Sequence, residues 1–574
     1  MKTSLPGSFG LRLLTVLMAF SATAAMAQST PSADQLLRLE QERLRFEQER
    51  NQQRQMPSGV DLMKGRKAAP AAGAAAARKG ACFTVNQINV QGAQEVYIAD
   101  MDAIKAKYLM QCLGANEIES LLGDLTAEYV SRGFVTTRAY LPEQDLKSGK
   151  MRVLVMEGRI ERMQVVGDGA DRINLDLAVP ARAGDLLNIR DLEQAVDQIN
   201  SARGNKVVMD LVPGSQPGKT VVMFKNTASN PFFAEATADN QGAVNTGKVG
   251  YGTTLKLGGG MGFNETLMLT ARRTNPHEAE KSADSLGFNV SVPVGYTTYG
   301  FGVSQSNFSI GLPITNRASL LYLTGESTSY NLNVDRVLSR DQGSLYKGVL
   351  LVNSVNSKNY ADGTLIQVSS RHSNSLSLGV NGTLNVAEGS LFVQPMMVMG
   401  LNGQSNLPVG MNQQSVGAQA EFTKYTLDAN FNRDFKEWGQ DMAWTSAFRG
   451  QYSSTELFTT QQMIIGGLPS VRGFVSSFLT GDTGFYWRND LSLKKGYDFD
   501  GMAVQARYYA GYDYGRISSH DPLALTGRLS GYVFGLNLQQ KNGSVDFQAT
   551  KADHVPEGLS RESAHFYVRL TLNN

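Results

Sequence analysis

From Asn230 to the end of the chain, apolar and polar residues alternate along segments of about ten residues, with turn-forming clusters between them. A period of two is what a strand shows when its two faces meet different surroundings. Sixteen such segments are predicted: 231–241, 248–257, 265–274, 285–294, 297–309, 318–338, 345–356, 364–385, 389–400, 422–434, 442–454, 484–494, 502–515, 528–540, 543–552 and 564–574. The last is the clearest. Phe566, Val568, Leu570 and Leu572 alternate with His565, Tyr567, Arg569 and Thr571. Apolar outside and polar inside describes a membrane barrel with a wet lumen; a soluble sandwich would show the same alternation. The even number of segments, and aromatic clusters near strand ends such as Phe485, Tyr486 and Trp487, favour the barrel. The expected fold class is mainly β, with a 16-stranded antiparallel transmembrane β-barrel over 229–574.

Residues 82–228 carry a different pattern. "CFTVNQINVQG" reads as a strand. "NEIESLLGDLTAEYVSRG" sets Ile118, Leu121, Leu122, Leu125 and Tyr129 on one helical face and stops at Gly133. "TTRAYLPEQ" and "KMRVLVMEGRI" follow as strands. The order then restarts: "IERMQVVG" as a strand, "NIRDLEQAVDQINSARG" as a helix with Leu192, Val196 and Ile199 inward, then "KVVMDLVPG" and "KTVVMFK" as a hairpin. These two α+β units, 82–158 and 159–228, resemble POTRA domains, the periplasmic modules of outer-membrane translocation proteins. Each would leave a strand edge beside a helix flank, which suits addition of an extended peptide as a further strand.

The first 81 residues divide into three expected pieces. Lys2 and Arg12, then "LLTVLMAFSATAA" and the small residues "AMA", predict a signal peptide over 1–27. Within 28–56, "SADQLLRLEQERLRFEQERNQQRQ" predicts a helix over 32–55 whose polar residues cover nearly every face. Such a helix is either exposed to solvent, as in a coiled coil, or sits in a water-filled cavity. At the usual rise it would span roughly 36 Å, about the height of a membrane barrel. Residues 57–81, rich in Ala, Gly, Pro and Lys, predict a flexible linker.

Composition narrows the chemistry. The 54 Lys and Arg against 52 Asp and Glu argue against a nucleic-acid partner. Two cysteines, Cys82 and Cys112, are expected to pair in an exported chain. The bridge would add about 3–4 kcal/mol on a loop-entropy account. "GAVNTGKV" lacks the hydroxyl residue that a phosphate loop places after its lysine, and "PGSQPGKT" lacks the first glycine; both read as hairpin turns. No catalytic or metal-binding spacing stands out, so neither a cofactor nor an enzyme activity is expected.

One stretch breaks the strand pattern. "GGLPSVRGF" (466–474) lies in a connection over 455–483 that is far longer than a hairpin needs. On spacing alone, Arg472 could equally be a solvated charge on an outer loop. A guanidinium in a wet lumen would instead seek a carboxylate held on the wall. Alternation along 502–515 sends Val504, Ala506, Tyr508, Ala510, Tyr512 and Tyr514 toward lipid, and Gln505, Arg507, Tyr509, Gly511 and Asp513 toward the lumen. Gly511 and Gly515 remove bulk beside Asp513. The same logic turns Arg488 and Asp490 inward.

"VRGF" (Val471, Arg472, Gly473, Phe474) and "YDYG" (512–515) match the lumenal-loop and strand motifs of the two-partner secretion transporters, the TpsB family of FhaC, ShlB and HecB type. "YLPEQDL", "MEGRI" and "LVPG" are similar to that family's POTRA segments. The resemblance covers essentially all of the mature chain. It implies that the loop folds back into the lumen and that Arg472 pairs with Asp513. It also implies a large secreted TpsA-type exoprotein as partner, whose N-terminal secretion domain the POTRA units would bind. The 32–55 helix would then be a plug, and the outer-membrane lipids and the barrel-assembly machinery would be further partners. The alternatives are a barrel-assembly insertase and a porin- or receptor-type channel.

Overall fold

The computed structural model describes residues 82–92, 101–314, 318–341, 343–401 and 417–574. The signal peptide, polar helix and linker expected over 1–81 lie outside the described residues.

Sixteen long antiparallel strands close into a barrel. Each pairs with its sequence neighbours, and the first, Phe232–Asp239, meets the last, His565–Asn573. That seam runs in five pairs, from Asn573 opposite Glu235 to Arg569 opposite Asp239. Closure leaves no free edge inside the membrane, where unpaired backbone groups would be costly. The alternation read from the last strand is what sets its two faces. Phe566 is 70% exposed and Leu572 54%, whereas Tyr567, Arg569 and Thr571 are buried.

The barrel's two ends differ. At one, strands turn within two residues, as at Trp438-Gly439 and Asp500-Gly501, where both residues of each pair have positive φ. Such turns match the right-handed twist of the flanking strands. This end also meets the second α+β unit. The opposite end carries the longer connections, as outer-membrane barrels do on their extracellular side. One expected strand, 364–385, is shorter than its pattern suggested. The ladder begins at Arg371; before it come a two-residue extension, Thr364–Leu365, and a 3₁₀ turn, Gln367–Ser369. The Ser370 hydroxyl bonds to Ile366 and to the Asn359 amide, which holds that turn against the strand.

The two α+β units over 82–228 contain short elements that sequence periodicity did not separate. "CFTVNQINVQG" forms two strands, Phe83–Val85 and Gln87–Gln91, which join different sheets. A short helix, Met101–Ala106, and a strand, Gln111–Leu113, precede the expected helix, which runs Ala115–Ser131. Cys82 and Cys112 are disulfide-bonded. "KMRVLVMEGRI" breaks at Glu157-Gly158 into the end of one sheet and the start of the next. A side chain at Gly158 would meet Thr136, which is why the crossover needs glycine there.

The second unit is fastened to the barrel's rim through its helix Ile189–Ser201. Its outer face is polar yet mostly buried, because it packs on barrel turns. The Gln194 and Gln198 side chains donate to the Gly295 carbonyl at 3.2 and 2.9 Å. Arg340, at the end of strand Leu321–Arg340, pairs with Asp197 and donates to Gln194 at 3.1 Å. The Tyr296 hydroxyl donates to Asp191. Burial and this bond push the Tyr296 phenol well above its ordinary pKa, so it stays a donor. Asn174 and Asn264 exchange hydrogen bonds at 2.9 and 2.7 Å nearby.

Candidate functional site: a loop seated inside the barrel

Strands Gln440–Ser453 and Thr483–Phe499 are direct neighbours, so the residues between them insert at a single hairpin end. They do not project outward. The loop turns back into the lumen as a small hairpin, Met463–Ile465 against Leu479–Gly481, with "GGLPSVRGF" at its tip. Gly466 and Gly467 adopt φ of +116° and +91°, which suits glycine, and the Ser470 hydroxyl closes the turn on the Gly466 amide at 2.8 Å.

Arg472 is the centre of the tip and is 2% exposed. Its Nε donates to Asp513 Oδ2 at 2.6 Å and its Nη2 to Asp513 Oδ1 at 2.6 Å. Its backbone amide also donates to Asp513, at 2.9 Å. Asp513 is fully buried on strand Met502–Ser518. Nη2 and Nη1 reach Asp490 on the neighbouring strand at 2.6 and 3.1 Å. The planar guanidinium therefore meets two carboxylates with its fork. Arg488, directly across the ladder from Asp513, donates to the Pro469 carbonyl at 3.1 Å and holds the other side of the tip. Two arginines and two aspartates leave the cluster formally neutral. Asp513 stands five residues from the outer end of its strand, so the tip docks roughly 17 Å along the strand from that end at the usual rise.

The glycines divide their work. A Cβ at Gly515 would lie 2.9 Å from Val471, so that glycine makes room for the loop. At Gly511 the clash would be with Asp490 at 2.1 Å, so that glycine makes room for the second carboxylate. Gly473, at φ +111°, lies against the backbone of Lys551 and Ala552. Phe474 and Val471 are buried in an apolar cluster with Met463, Ile465, Leu479, Ile517, Leu529 and Ala552. Ile517, Leu529 and Ala552 belong to the wall. The lumen is thus apolar where the loop docks, which the rule of a polar inside had left out.

Two further supports were also missed. Gly531, on strand Gly527–Gln540, would place a Cβ 2.0 Å from the Arg472 carbonyl oxygen. Asp482, at the loop's base, accepts from the Leu457 and His520 amides, each at 2.8 Å, and from the Ser519 hydroxyl at 3.0 Å. Burial raises its pKa, but these bonds outweigh it and the carboxyl lies below its ordinary value. A glycine in a strand and an aspartate beside a turn carry no sequence signal of what they will touch.

Comparison with known proteins agrees with this architecture. Residues 218–538 match the family described as haemolysin secretion/activation protein ShlB/FhaC/HecB. Residues 83–158 match its ShlB-type POTRA domain, and 159–213 match a further POTRA domain. The chain is 32% identical over 417 residues to the outer membrane transporter CdiB of Dickeya dadantii, across 72% of this chain and 73% of that protein. It is 27% identical over 481 residues to the hemolysin transporter protein ShlB of Serratia marcescens, across 82% of each. Among solved structures, CdiB from Escherichia coli aligns with a TM-score of 0.84 at 27% identity, covering 96% of this chain and 100% of that one.

The seat at Gly531 can be tested directly. Gly531→Val should expose the loop to added protease while the barrel keeps its heat-modifiable migration on gels. An unchanged cleavage rate would contradict the close approach.

Proposed function

Because the chain belongs to the haemolysin secretion/activation family ShlB/FhaC/HecB and is an outer-membrane transporter, we propose that it captures one large TpsA-type exoprotein in the periplasm and threads it to the cell surface. The observation that carries this reading is the placement of an edge strand with exposed apolar side chains in each of two units below a barrel whose lumen holds an anchored loop. In the first unit the sheet runs Gln87–Gln91, Lys150–Met156, Arg138–Tyr140, and in the second Arg159–Gly167, Lys219–Asn226, Val207–Pro213. Arg138–Tyr140 and Val207–Pro213 are therefore edges. Each has exposed apolar side chains on it or beside it: Tyr140 and Leu141 in one unit, Val208 and Val212 in the other. An unfolded secretion domain can add to such an edge through its backbone and lodge alternate side chains beside it.

The second unit's fastening to the rim would fix its edge relative to the barrel's mouth. Capture and passage would then share one frame. The polar 32–55 helix would fill the resting lumen, and the 57–81 linker would let it withdraw without leaving the protein. Export would draw its drive from folding of the exoprotein outside, which makes return unfavourable. The barrel-assembly machinery would insert the transporter itself. The Arg472 cluster would hold the loop in its working position throughout.

Loss of one partner from a buried ion pair costs about 3–5 kcal/mol, because the other charge stays desolvated. Arg472→Ala and Asp513→Ala should each lower secretion of the cognate exoprotein severalfold while barrel insertion persists. Exchanging the two charges should restore little, since the new carboxylate at position 472 would face Asp490. Normal secretion from both single variants would remove the cluster's role. For the plug, deletion of 32–55 should raise single-channel conductance in planar bilayers; the same conductance as the intact chain would contradict it.

A further inference from the structure

A carboxylate outside the Arg472 cluster also reaches the loop, from a different part of the chain. Glu562 lies in the outer connection between strands Gly543–His554 and His565–Asn573. Its oxygens accept from the backbone amides of Val475 at 3.0 Å, Ser476 at 3.1 Å and Ser477 at 2.7 Å. The Ser477 hydroxyl also donates to the Ser560 carbonyl at 3.4 Å. Three successive amides converging on one carboxylate form an anion nest within the chain. The Glu562 side chain is 8% exposed, and His565 Nε2 lies 3.0 Å from it. Burial alone would raise its pKa; the bonds from His565, Ser477 and Val475 bring it below the ordinary carboxylate range.

The place of these amides matters. They follow Phe474 at once and precede Leu479, where the loop's own hairpin resumes pairing. Residues 475–478 therefore lie between two anchored points, with no strand partner for their amides among the described residues. The Arg472 cluster grips the tip from two wall strands. It does not reach the returning half.

We propose that Glu562 is a further positioning residue for the loop, and that the outer connection 555–564 latches the loop's returning half in the lumen. The carboxylate is required rather than any acceptor, since a single carbonyl oxygen cannot meet three donors. A glutamine would also turn its own N–H₂ toward them. The latch matters for export only through the function proposed above for the loop, so its test must read the loop's position separately from secretion.

Ser476→Cys provides that reading, because Cys82 and Cys112 are already bonded to each other. The rate at which a membrane-impermeant maleimide labels position 476 on intact cells reports how often the segment leaves its seat. Glu562→Ala and Glu562→Gln should each raise that rate about tenfold or more, given the size of hydrogen bonds to a charged group. Heat-modifiable migration should stay as in the parent, which separates a freed loop from a damaged barrel. Should Glu562→Ala fail to assemble, Glu562→Gln alone gives the answer. Unchanged labelling in the assembled variant overturns the latch. Faster labelling with undiminished export upholds the latch and counts against the loop's part in export.

Discussion

The interior of this barrel is organised around one buried guanidinium. Arg472 sits between Asp513 and Asp490, carboxylates on adjacent strands. A charge so far from water is tolerable only when its partners are fixed and its donors are filled. The wall strands supply that rigidity, because the two are paired with each other along their whole length. The loop supplies the arginine on a short, glycine-hinged tip. Everything near it follows from the need to bring backbone and wall together. Gly515 and Gly531 lack side chains where the tip arrives, Gly511 leaves space for Asp490, and Gly473 bends the chain along Lys551 and Ala552.

Charge alone would leave the tip free to pivot, and the apolar contacts around it restrict that motion. Phe474 and Val471 bury against Ile517, Leu529 and Ala552, so leaving the seat would expose apolar surface as well as separate ions. The fastening repeats at other points by the same logic. Asp482 gathers amides at the loop's base and Glu562 gathers them on its return. At the opposite end, Arg340 and Tyr296 bind the second periplasmic unit to the rim. A barrel that must pass a long chain needs walls that stay closed and internal parts that stay placed, and these carboxylate-centred contacts serve the second need.

Legibility in the sequence followed length scale. Strands of ten residues and more declared themselves through alternation, because lipid on one side and lumen on the other impose a period of two. Short elements did not: Phe83–Val85 and Gln111–Leu113 are too brief to show a period, and Met101–Ala106 is a turn and a half of helix. The inward direction of Arg472, Asp513, Arg488 and Asp490 could be read from strand parity and from the resemblance of two short motifs. The contact of Asp490 with Arg472 could not, because it depends on the register between two strands. Ile517 and Leu529 were hidden for a related reason. An apolar residue on a lumenal face looks like an exception until the loop that covers it is in place.

If the Arg472–Asp513–Asp490 cluster holds the loop in the lumen and export depends on it, weakening one carboxylate should free the tip and lower secretion together. The most direct measurement is the spin–spin distance between labels at Leu468 in the loop's tip and at Thr526 on the outer rim, taken in outer membranes for the parent and for Asp513→Asn, with secretion measured in the same cells. The parent should give one narrow distance. Asp513→Asn should give a broad distribution and a matching loss of secretion. A narrow, unchanged distance in Asp513→Asn would contradict this.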